Sequence, residues 1–338
     1  MPGNKAVHVL RSMSHNPFFN LATENWLLRS SSLVAKETLF LWQVKPTVIG
    51  VHQNPWAEVD VDAMKADDVF LARRQSGGGA VYQDMGNTNF TFVSDKNAFN
   101  KELNSEIVTK SLRRGYGIKA ETSGRNDILV DGKKVSGAAY KLTPDRGFHH
   151  GTMMRDVEFA SMGKYLTPHP LKLQSKGVAS VQARVTNLNL ENPSITHDGL
   201  CEALTDQFFE THGGSCGIEW IDEDVMKTVP EIEQEYRRLS AWSWRFGNTP
   251  KFSRVMDHKF DWGLVSMQFE STGGVVTGAR MFSDCLVPSF VEAAEQALLG
   301  AELSLAGVAG FVGRLRATVP AEQHGWAEEL GTWFGAAL

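Results

Sequence analysis

The sequence has 338 residues, of which 42% are hydrophobic and 22% charged, and its formal net charge is −5 at pH 7. These values are typical of a globular chain with one large and one smaller domain, and they argue against a global nucleic-acid-binding surface. The three scattered cysteines form no CxxC pair, and no apolar run has membrane-spanning length. Met1 to Lys5 opens no signal peptide. We expect a reducing compartment, no membrane partner and no nucleic-acid partner.

In chain order, the first half alternates short strands and turns with few helices. Asn16-Pro17 is a good helix start, because Asn caps and Pro suits the first helical position; this helix is expected to end near Ser30. Asp131-Gly132 between two apolar runs predicts a hairpin. Strands are predicted at Thr38–Val44, Thr47–Val51, Val69–Arg73, Thr88–Val93 (alternating, half-buried) and Phe148–Met154, and helices at Asp60–Asp67, Leu103–Tyr116, Asp156–Leu166 and Ile195–His212.

The pattern changes after about Ala241. Trp242, Trp244 and Phe246 are interpreted as core or linker packing rather than as a platform for stacking bases. Beyond Thr249-Pro250, strands are predicted at Phe260–Phe269 and Val275–Met281, and helices at Pro288–Leu299 and Glu322–Leu338. The prediction is an α+β fold with mixed or antiparallel sheets and flanking helices. A large domain spans residues 1–245, and a small α+β accessory domain spans residues 246–338.

The run Arg73-Arg74-Gln75-Ser76-Gly77-Gly78-Gly79-Ala80-Val81-Tyr82 is the most informative stretch. It predicts a strand, a glycine turn and a second strand. Glycine lets a ligand approach the backbone, successive N–H groups attract an anion, and arginine suits phosphate or carboxylate. The simplest alternative is an ordinary hairpin turn with a surface arginine pair.

Three further segments place glycine beside cationic or small polar residues. They are Gly124-Arg125-Asn126-Asp127, Lys133-Lys134-Val135-Ser136-Gly137 and Arg146-Gly147-Phe148-His149-His150-Gly151-Thr152. His149 and His150 point to opposite faces of a strand, so the pair is a poor metal chelate. Together the segments predict a cleft for a ligand with a phosphate and an elongated apolar part, with Trp42, Val48 and Val81 as an apolar wall. Common phosphate-binding fingerprints such as GxxxxGK[ST] are absent.

Several ordered motifs extend this pattern along the chain. They are Phe19-Asn20-Leu21-Ala22, Val48-Ile49-Gly50, Gln53-Asn54-Pro55-Trp56, the run from Arg73 to Asn87, Gly124-Arg125-Asn126-Asp127, Lys134-Val135-Ser136-Gly137, Phe148-His149-His150-Gly151-Thr152 and Val185-Thr186-Asn187-Leu188. In this order and spacing, they resemble the lipoate–protein ligase A and lipoyltransferase family. The resemblance covers essentially the whole chain.

The resemblance implies a biotin/lipoate ligase-like fold and a two-step reaction. ATP and lipoate give lipoyl-AMP and pyrophosphate, with Mg²⁺ bridging phosphates. A lysine of a lipoyl domain then attacks the lipoyl-AMP. The implied acceptors are the E2 subunits of 2-oxoacid dehydrogenases and the glycine-cleavage H protein. A monomer is expected, in the cytoplasm of a bacterium or the mitochondrion of a eukaryote.

The resemblance also implies residue roles. Lys134 is the expected catalytic residue, bridging carboxyl and phosphate oxygens, while Arg74 clamps the adenylate or pyrophosphate and Asp127 supports Mg²⁺. Lipoate or lipoyl-AMP is expected to contact Trp42, Arg74, Ser76, Gly77, Gly78, Gly79, Val81, Lys134 and His150. The nucleotide is expected to contact Arg74, Gly79, Tyr82, Asn87, Asn126, Asp127, Lys134, Ala138 and Thr152.

Gln83 is a departure from the family pattern, because many relatives carry His there. Gln cannot be protonated, which leaves open a lipoyltransferase that needs preformed lipoyl-AMP. The Gly124-Arg125-Asn126-Asp127 motif favours a full ligase. The pattern also allows a biotin–protein ligase or a non-catalytic ligand-binding relative.

Overall fold

The computed structural model describes residues 6–30, 36–124, 126–167, 185–246 and 254–337. Met1 to Lys5, Arg125 and Thr249-Pro250, which figured in the sequence-based predictions, lie outside these ranges. Within the described residues, no helix is long and apolar enough to cross a membrane.

The described strands form three sheets. They are β1 (Ala6–Ser12), β2 (Lys36–Trp42), β3 (Thr47–Ile49), β4 (Leu71–Arg73), β5 (Val81–Tyr82), β6 (Asn87–Asp95), β7 (Ala120–Ser123), β8 (Asp127–Val130), β9 (Lys133–Leu142), β10 (Arg146–Met154), β11 (Ile218–Ile221), β12 (Arg254–Phe260), β13 (Gly263–Thr272) and β14 (Val275–Ser283). The largest sheet has the order β11-β1-β2-β6-β10-β9-β8-β7; the smaller sheets are β4-β3-β5 and β12-β13-β14. In the large sheet, β1 pairs in parallel with β2 and β11, and the other pairs are antiparallel. The predicted α+β fold with mixed sheets is confirmed.

The helices pack on both faces of the large sheet and against the third sheet. They are α1 (Pro17–Arg29), α2 (Pro55–Glu58), α3 (Val61–Ala66), α4 (Lys101–Tyr116), α5 (Phe159–Tyr165), α6 (His197–His212), α7 (Pro230–Ser240), α8 (Trp242–Phe246), α9 (Pro288–Leu298), α10 (Leu305–Thr318) and α11 (His324–Ala336). As predicted, Asn16 caps α1, where its side chain accepts hydrogen bonds from the amides of Phe18 and Phe19. The predicted Asp131-Gly132 hairpin joins β8 to β9, and both turn residues have positive φ, 48° and 74°.

The large sheet has a hydrophobic core on each face. Leu39 and Leu41 of β2 pack into the core beneath α4 and α6, whereas Phe40 and Trp42 pack into the core beneath α1 and α7. The central strand β6 is therefore buried on both faces from Asn87 to Ser94. The predicted half-burial of Thr88–Val93 is wrong, because helices cover both sides of this strand and its alternating polar residues face protein rather than solvent.

A third hydrophobic core is built from residues within the sequence range 260–334, where β12–β14 pack against α9–α11. The single strand predicted at Phe260–Phe269 is in fact two strands joined by a turn at Asp261-Trp262. Trp262 in this turn is 4% exposed, and its ring stacks on Phe260. Because a buried aromatic residue stands in the turn, the alternation of apolar residues continues through it and resembles that of one strand. The domain boundary near residue 245 stays a prediction, since residues 247–253 lie outside the described ranges.

Arg146 ties the end of α1 to the large sheet from within the core. Its guanidinium donates to the carbonyls of Leu27 (2.7 Å) and Lys36 (3.0 Å). We expect Arg146→Met to lower the free energy of unfolding by roughly 3 kcal/mol, because a buried carbonyl without a donor is costly. Urea denaturation measures this change. Arg237→Met, which removes an exposed intrahelical ion pair, is the control and should change stability by less than about 0.5 kcal/mol. Equal effects would contradict a structural role for Arg146.

Candidate active site

The glycine turn, residues 74–80, connects two strands that are not neighbours. β4 pairs in parallel with β3, and β5 pairs antiparallel with the other side of β3. The turn therefore passes over the end of β3, so closely that a Cβ on Gly50 would lie 2.3 Å from the Gly78 carbonyl oxygen. Gly78 adopts φ of 90°, a conformation that favours glycine. The predicted strand, glycine turn and second strand are present, but the alternative of an ordinary hairpin is wrong, because β3 lies between the two strands.

Neither Arg73 at the end of β4 nor Arg74 in the turn lies on the surface. Arg74 is 6% exposed, and its guanidinium donates to the carbonyls of Gly77 (2.6 Å) and Gly79 (2.9 Å) and to the Ser76 hydroxyl (3.0 Å). Burial lowers the pKa of Arg74 to about 10, so the group stays charged at neutral pH. Arg74 thus holds the turn in shape from inside, while one side of it lines the cleft described below.

Arg73 points away from Arg74 and joins the turn to the end of the large domain. Its guanidinium donates to the carbonyls of Gly50, Gln53 and Arg245 at 3.1, 2.7 and 2.7 Å. The Trp244 indole returns a hydrogen bond of 2.9 Å to the Arg73 carbonyl and packs against the core beneath α1 and α7. The prediction that this aromatic residue has a packing role is therefore correct.

Lys134 and Asp127 meet on neighbouring strands β9 and β8. Their Nζ and Oδ1 atoms lie 2.7 Å apart, and each side chain is about one-third exposed, 34% and 35%. Lys134 lies over Gly137, since a Cβ there would be 2.8 Å from Nζ. The ammonium is consequently fixed at a partly solvated position beside a backbone that glycine leaves open.

An apolar cleft with one polar end contains most of the predicted site residues. Leu21, Trp42, Val48 and Val81 form the apolar wall, and the glycine turn and Lys134 close the polar end. The predicted residues that line this cleft are Trp42, Arg74, Gly78, Gly79, Val81, Asn126, Lys134, Ala138, His150 and Thr152. Segments far apart in the sequence thus meet at one place, as predicted for the cleft.

Five predicted residues lie outside the cleft lining. Ser76 is fully buried beneath the turn, and Gly77 faces the C-terminal part of the chain. Tyr82 stacks on Tyr165 with ring centroids 5.8 Å apart. Asn87 is 1% exposed, and its side-chain amide has no hydrogen-bond partner among the described residues. Asp127 lines a neighbouring cavity.

His149 and His150 separate onto opposite faces of β10, as strand geometry predicts. His150 lines the cleft, and its Nε2 lies 2.8 Å from the Ser76 hydroxyl oxygen. His149 lines the neighbouring cavity together with Asp127, Trp262 and Trp326. Burial lowers the pKa of His149 to about 3, so its ring is neutral at physiological pH.

The C-terminal part of the chain rests directly on the glycine turn. The Gly78 amide donates to the Cys285 carbonyl at 3.2 Å, and the Ser283 amide donates to the His52 carbonyl at 2.8 Å. A Cβ on Gly77 would lie 2.1 Å from the Cys285 carbonyl oxygen. The first two glycines of the turn are therefore occupied in this contact, and Gly79 is not.

Gln83 and Asn89 occupy the cleft beside Val81. The Asn89 amide donates to the Gln83 side-chain oxygen at 3.1 Å. Gln83 is 3% exposed. Its position in the lining means that the departure from the family's usual His falls within the site itself.

Comparisons with known proteins assign the chain to a family. A family model for the lipoyl protein ligase A/B catalytic domain matches residues 16–209, and one for the bacterial lipoate protein ligase C-terminus matches residues 249–322. The chain belongs to the lipoyl protein ligase A/B family. Lipoate-protein ligase A of Psychrobacter cryohalolentis is 42% identical over 298 residues, 86% of this chain and 87% of the relative.

Solved structures of this family resemble the whole chain or its larger part. P. falciparum LipL1 in complex with lipoate has a TM-score of 0.87 and 31% identity, covering 98% of this chain and 100% of LipL1. A lipoate-protein ligase A bound with ATP has a TM-score of 0.60 and 26% identity, covering 72% of this chain and 99% of that ligase. A bipartite lipoate protein ligase and its E2 lipoyl domain from Thermoplasma acidophilum gives a TM-score of 0.62 and 27% identity, covering 74% and 99%.

Leu21 and Asn89, which line the cleft, and Glu24, which lies behind it, are among the residues that the sequence did not assign to the site. Leu21 lines the cleft from α1, inside the quoted Phe19–Ala22 motif. Glu24 lies one helical turn further and is 1% exposed. A carboxylate among residues buried on every side of a helix is the signal that could have identified it, because isolated buried charges are avoided.

The close contact at Gly77 generates a prediction with a control in the same turn. We expect Gly77→Ala to push the segment at Cys285 away and to break the Gly78–Cys285 hydrogen bond. Amide hydrogen exchange should then increase in peptides covering Ser283 to Leu286. Gly79→Ala is the matched control, because a Cβ there meets no atom within 4 Å among the described residues. Unchanged exchange in Gly77→Ala would show that this contact does not persist in solution.

Proposed function

We propose that this protein is an ATP-dependent lipoate–protein ligase. In the first step, the lipoate carboxylate attacks the α-phosphorus of ATP, which forms lipoyl-AMP and releases pyrophosphate. In the second step, a lysine amine of a lipoyl domain attacks the lipoyl carbonyl, and AMP leaves. The names of the relatives, which include a ligase bound with ATP and LipL1 in complex with lipoate, support this assignment.

The observation that carries the proposal is the position of Lys134 at the polar end of an apolar cleft. The wall of Leu21, Trp42, Val48 and Val81 suits an acyl chain with a dithiolane ring. Lipoate has a single charged end, which would lie beside the ammonium of Lys134. The cleft thus combines an apolar wall with a cation, which is the combination that lipoate requires.

Lys134 supplies the positive charge that both steps require. A carboxylate and a phosphate repel each other, so the first step requires a cation where their charges accumulate. The ammonium of Lys134 is compact and has three donors, which can bridge the carboxyl and phosphate oxygens. Asp127 holds this ammonium at 2.7 Å on the edge of the cleft. In the second step, the same ammonium stabilises the oxyanion and the AMP leaving group.

The remaining site residues supply polar contacts. Two hydrogen bonds hold Asn126 against Ala138. The Asn126 side-chain amide donates to the Ala138 carbonyl at 2.6 Å, and the Ala138 backbone amide donates to the Asn126 carbonyl at 2.9 Å. We assign Asn126, Ala138 and Thr152 to the nucleotide, and Arg74 and His150 to the support of the adenylate. Asn87, which is 1% exposed and lies outside the cleft lining, is left out of this assignment.

This chemistry requires no nucleophile on the protein, because lipoyl-AMP is already activated and the attacking amine belongs to the acceptor. Among the described residues that line the cleft, none is a cysteine. Cys201 lies in the core beneath α4 and α6, and burial raises its pKa to about 12, which keeps its thiol protonated and unreactive. An acyl-cysteine intermediate is therefore not part of the proposal.

Magnesium fits this site as an ion that arrives with ATP. The described residues contain no cluster of three metal-ligating side chains, and Asp127 is the carboxylate that holds Lys134 at the polar end of the cleft. Mg²⁺ commonly uses one or two carboxylates together with substrate phosphates and water. Asp127 would serve as that carboxylate, and the ion would neutralise phosphate charge.

We propose lipoyl domains as acceptors, namely the E2 subunits of 2-oxoacid dehydrogenases and the H protein. The Thermoplasma acidophilum ligase structure, which includes an E2 lipoyl domain, supports this class of partner. The location follows from the acceptors: the cytoplasm in a bacterium, or the mitochondrion in a eukaryote.

Lys134→Ala tests the proposed catalytic role. We expect lipoyl transfer to fall by at least about a hundredfold, because the variant lacks the cation beside the reacting charges. The measurement is mass spectrometry of a lipoyl domain incubated with enzyme, lipoate and MgATP. Lys133→Ala is the matched control, since Lys133 is exposed and precedes Lys134 on the same strand. Transfer by Lys134→Ala within a few-fold of wild type would exclude this role.

A lipoyltransferase that uses preformed lipoyl-AMP is the second candidate function. The observation that favours it is Gln83, which lines the cleft and cannot be protonated. A lipoate-dependent exchange of labelled pyrophosphate into ATP separates the candidates, because only a full ligase forms the adenylate. We expect exchange to occur. Absence of exchange, combined with transfer from supplied lipoyl-AMP, would establish the transferase instead.

A further inference from the structure

Glu24 of α1 is a buried carboxylate that no step of the proposed reaction uses. It is 1% exposed and lies behind the cleft wall rather than in it. Its oxygens accept hydrogen bonds from two sides: His150 Nδ1 is 3.0 and 3.1 Å away, and the Thr91 hydroxyl donates to Oε1. A carboxylate buried this deeply requires such partners.

The hydrogen bonds continue from Glu24 to both walls of the cleft. On one side, His150 Nε2 lies 2.8 Å from the Ser76 hydroxyl, which accepts a 3.0 Å hydrogen bond from Arg74 Nε. On the other side, Thr91 accepts a 3.3 Å hydrogen bond from the indole of Trp42. Glu24 is therefore the point at which the acyl wall and the glycine turn are connected.

The hydrogen-bond partners in this network fix the proton on His150 Nδ1. A carboxylate only accepts, so His150 Nδ1 carries a proton toward Glu24. The Ser76 oxygen is an acceptor for Arg74, so its hydroxyl hydrogen is free to point at His150 Nε2. In the neutral ring, Nε2 accepts this hydrogen, and every group in the chain is satisfied. The opposite tautomer would set two acceptors, the bare Nδ1 and the Glu24 carboxylate, against each other.

The chain also connects opposite charges. Arg74 is buried beneath the turn, and Glu24 is the acidic group whose charge favours its protonated form. Arg74 in turn holds the carbonyls of Gly77 and Gly79 inward. Replacing Glu24 by a neutral group would leave this cation without that nearby counter-charge.

We propose that Glu24 is a positioning residue of the adenylate site: it fixes the His150 tautomer, which orients Ser76 and Arg74 and thereby sets the shape of the glycine turn. This inference rests on the proposed ligase function for its kinetic consequence, but its structural part stands independently. Glu24 touches no substrate and acts through His150.

Glu24→Gln is the deciding variant, because the amide has nearly the same shape but lacks the negative charge that holds the proton on His150 Nδ1. Even if its oxygen takes the place of Oε1, which accepts from both His150 and Thr91, its NH₂ group replaces Oε2, 3.1 Å from Nδ1. We expect His150 to shift toward the Nε2–H tautomer, which the ¹⁵N chemical shifts of its imidazole report. We also expect kcat/KM for lipoate in pyrophosphate exchange to fall about tenfold to a hundredfold, the scale of a small misplacement of catalytic groups. Glu37→Gln, a change at another buried carboxylate on β2, is the control.

A double-mutant cycle separates positioning from loss of stability. If Glu24 acts through Ser76, the kinetic effects of Glu24→Gln and Ser76→Ala will be strongly non-additive, although the hydrogen bonds described above join the two residues through His150 and not directly. The cycle of Glu24→Gln with Asn126→Ala should be additive. An unchanged His150 tautomer, or additive effects in the Ser76 cycle, would overturn the inference.

Two other experimental outcomes also bear on the role of Glu24. If wild-type protein shows no exchange, the ligase function fails, and the ¹⁵N measurement still tests Glu24 by itself. If Glu24→Gln does not fold, Ser76→Ala decides: we expect faster amide exchange at Gly77 to Gly79 and a lower exchange rate of pyrophosphate. Wild-type values of both would overturn the proposed chain.

Discussion

The buried guanidinium of Arg74 is the constraint on which the site depends. Four oxygens, the carbonyls of Val48, Gly77 and Gly79 and the Ser76 hydroxyl, accept hydrogen bonds from one cation that solvent barely reaches. This inward curl is possible because Gly78 adopts φ of 90°. Burial disfavours the charge and lowers the pKa of Arg74, and the negative charge of Glu24 offsets part of this effect. The turn is consequently a fixed wall of the cleft and not a loose loop.

The sheet architecture determines what this wall faces. β9 and β10 are antiparallel neighbours, and they bring Lys134, Ala138 and His150 opposite the turn. Because successive side chains of a strand alternate between faces, His149 falls into a separate cavity, where burial keeps it neutral. The two cavities share the lining residues Asn126 and Ala138, so they lie side by side. Strand β10 contributes His150 to one cavity and His149 to the other.

The two cations near the polar end of the cleft, Arg74 and Lys134, have different electrostatic surroundings. Arg74 is enclosed by backbone carbonyls, so its donors are largely committed to the protein. Lys134 pairs with the Asp127 carboxylate and is one-third exposed, so its ammonium can exchange Asp127 for a ligand at small cost. The division explains why two cations of the same pocket suit different tasks: one holds the backbone, and the other meets the reacting charges.

Local signals in the sequence determined the start of α1 at Asn16-Pro17, the Asp131-Gly132 hairpin and the position of the glycine turn, since capping, positive φ and residue chemistry are properties of short segments. The family resemblance, together with the glycine-rich segments that carry it, implied most of the residues that line the cleft. The tertiary structure alone decided that β3 lies between β4 and β5, that β6 is buried on both faces, and that Trp262 lies in a turn. It alone brought Glu24 to His150 across 126 positions. Pairing of distant strands and burial of charges depend on which surfaces exclude water together, and no short stretch of sequence records that.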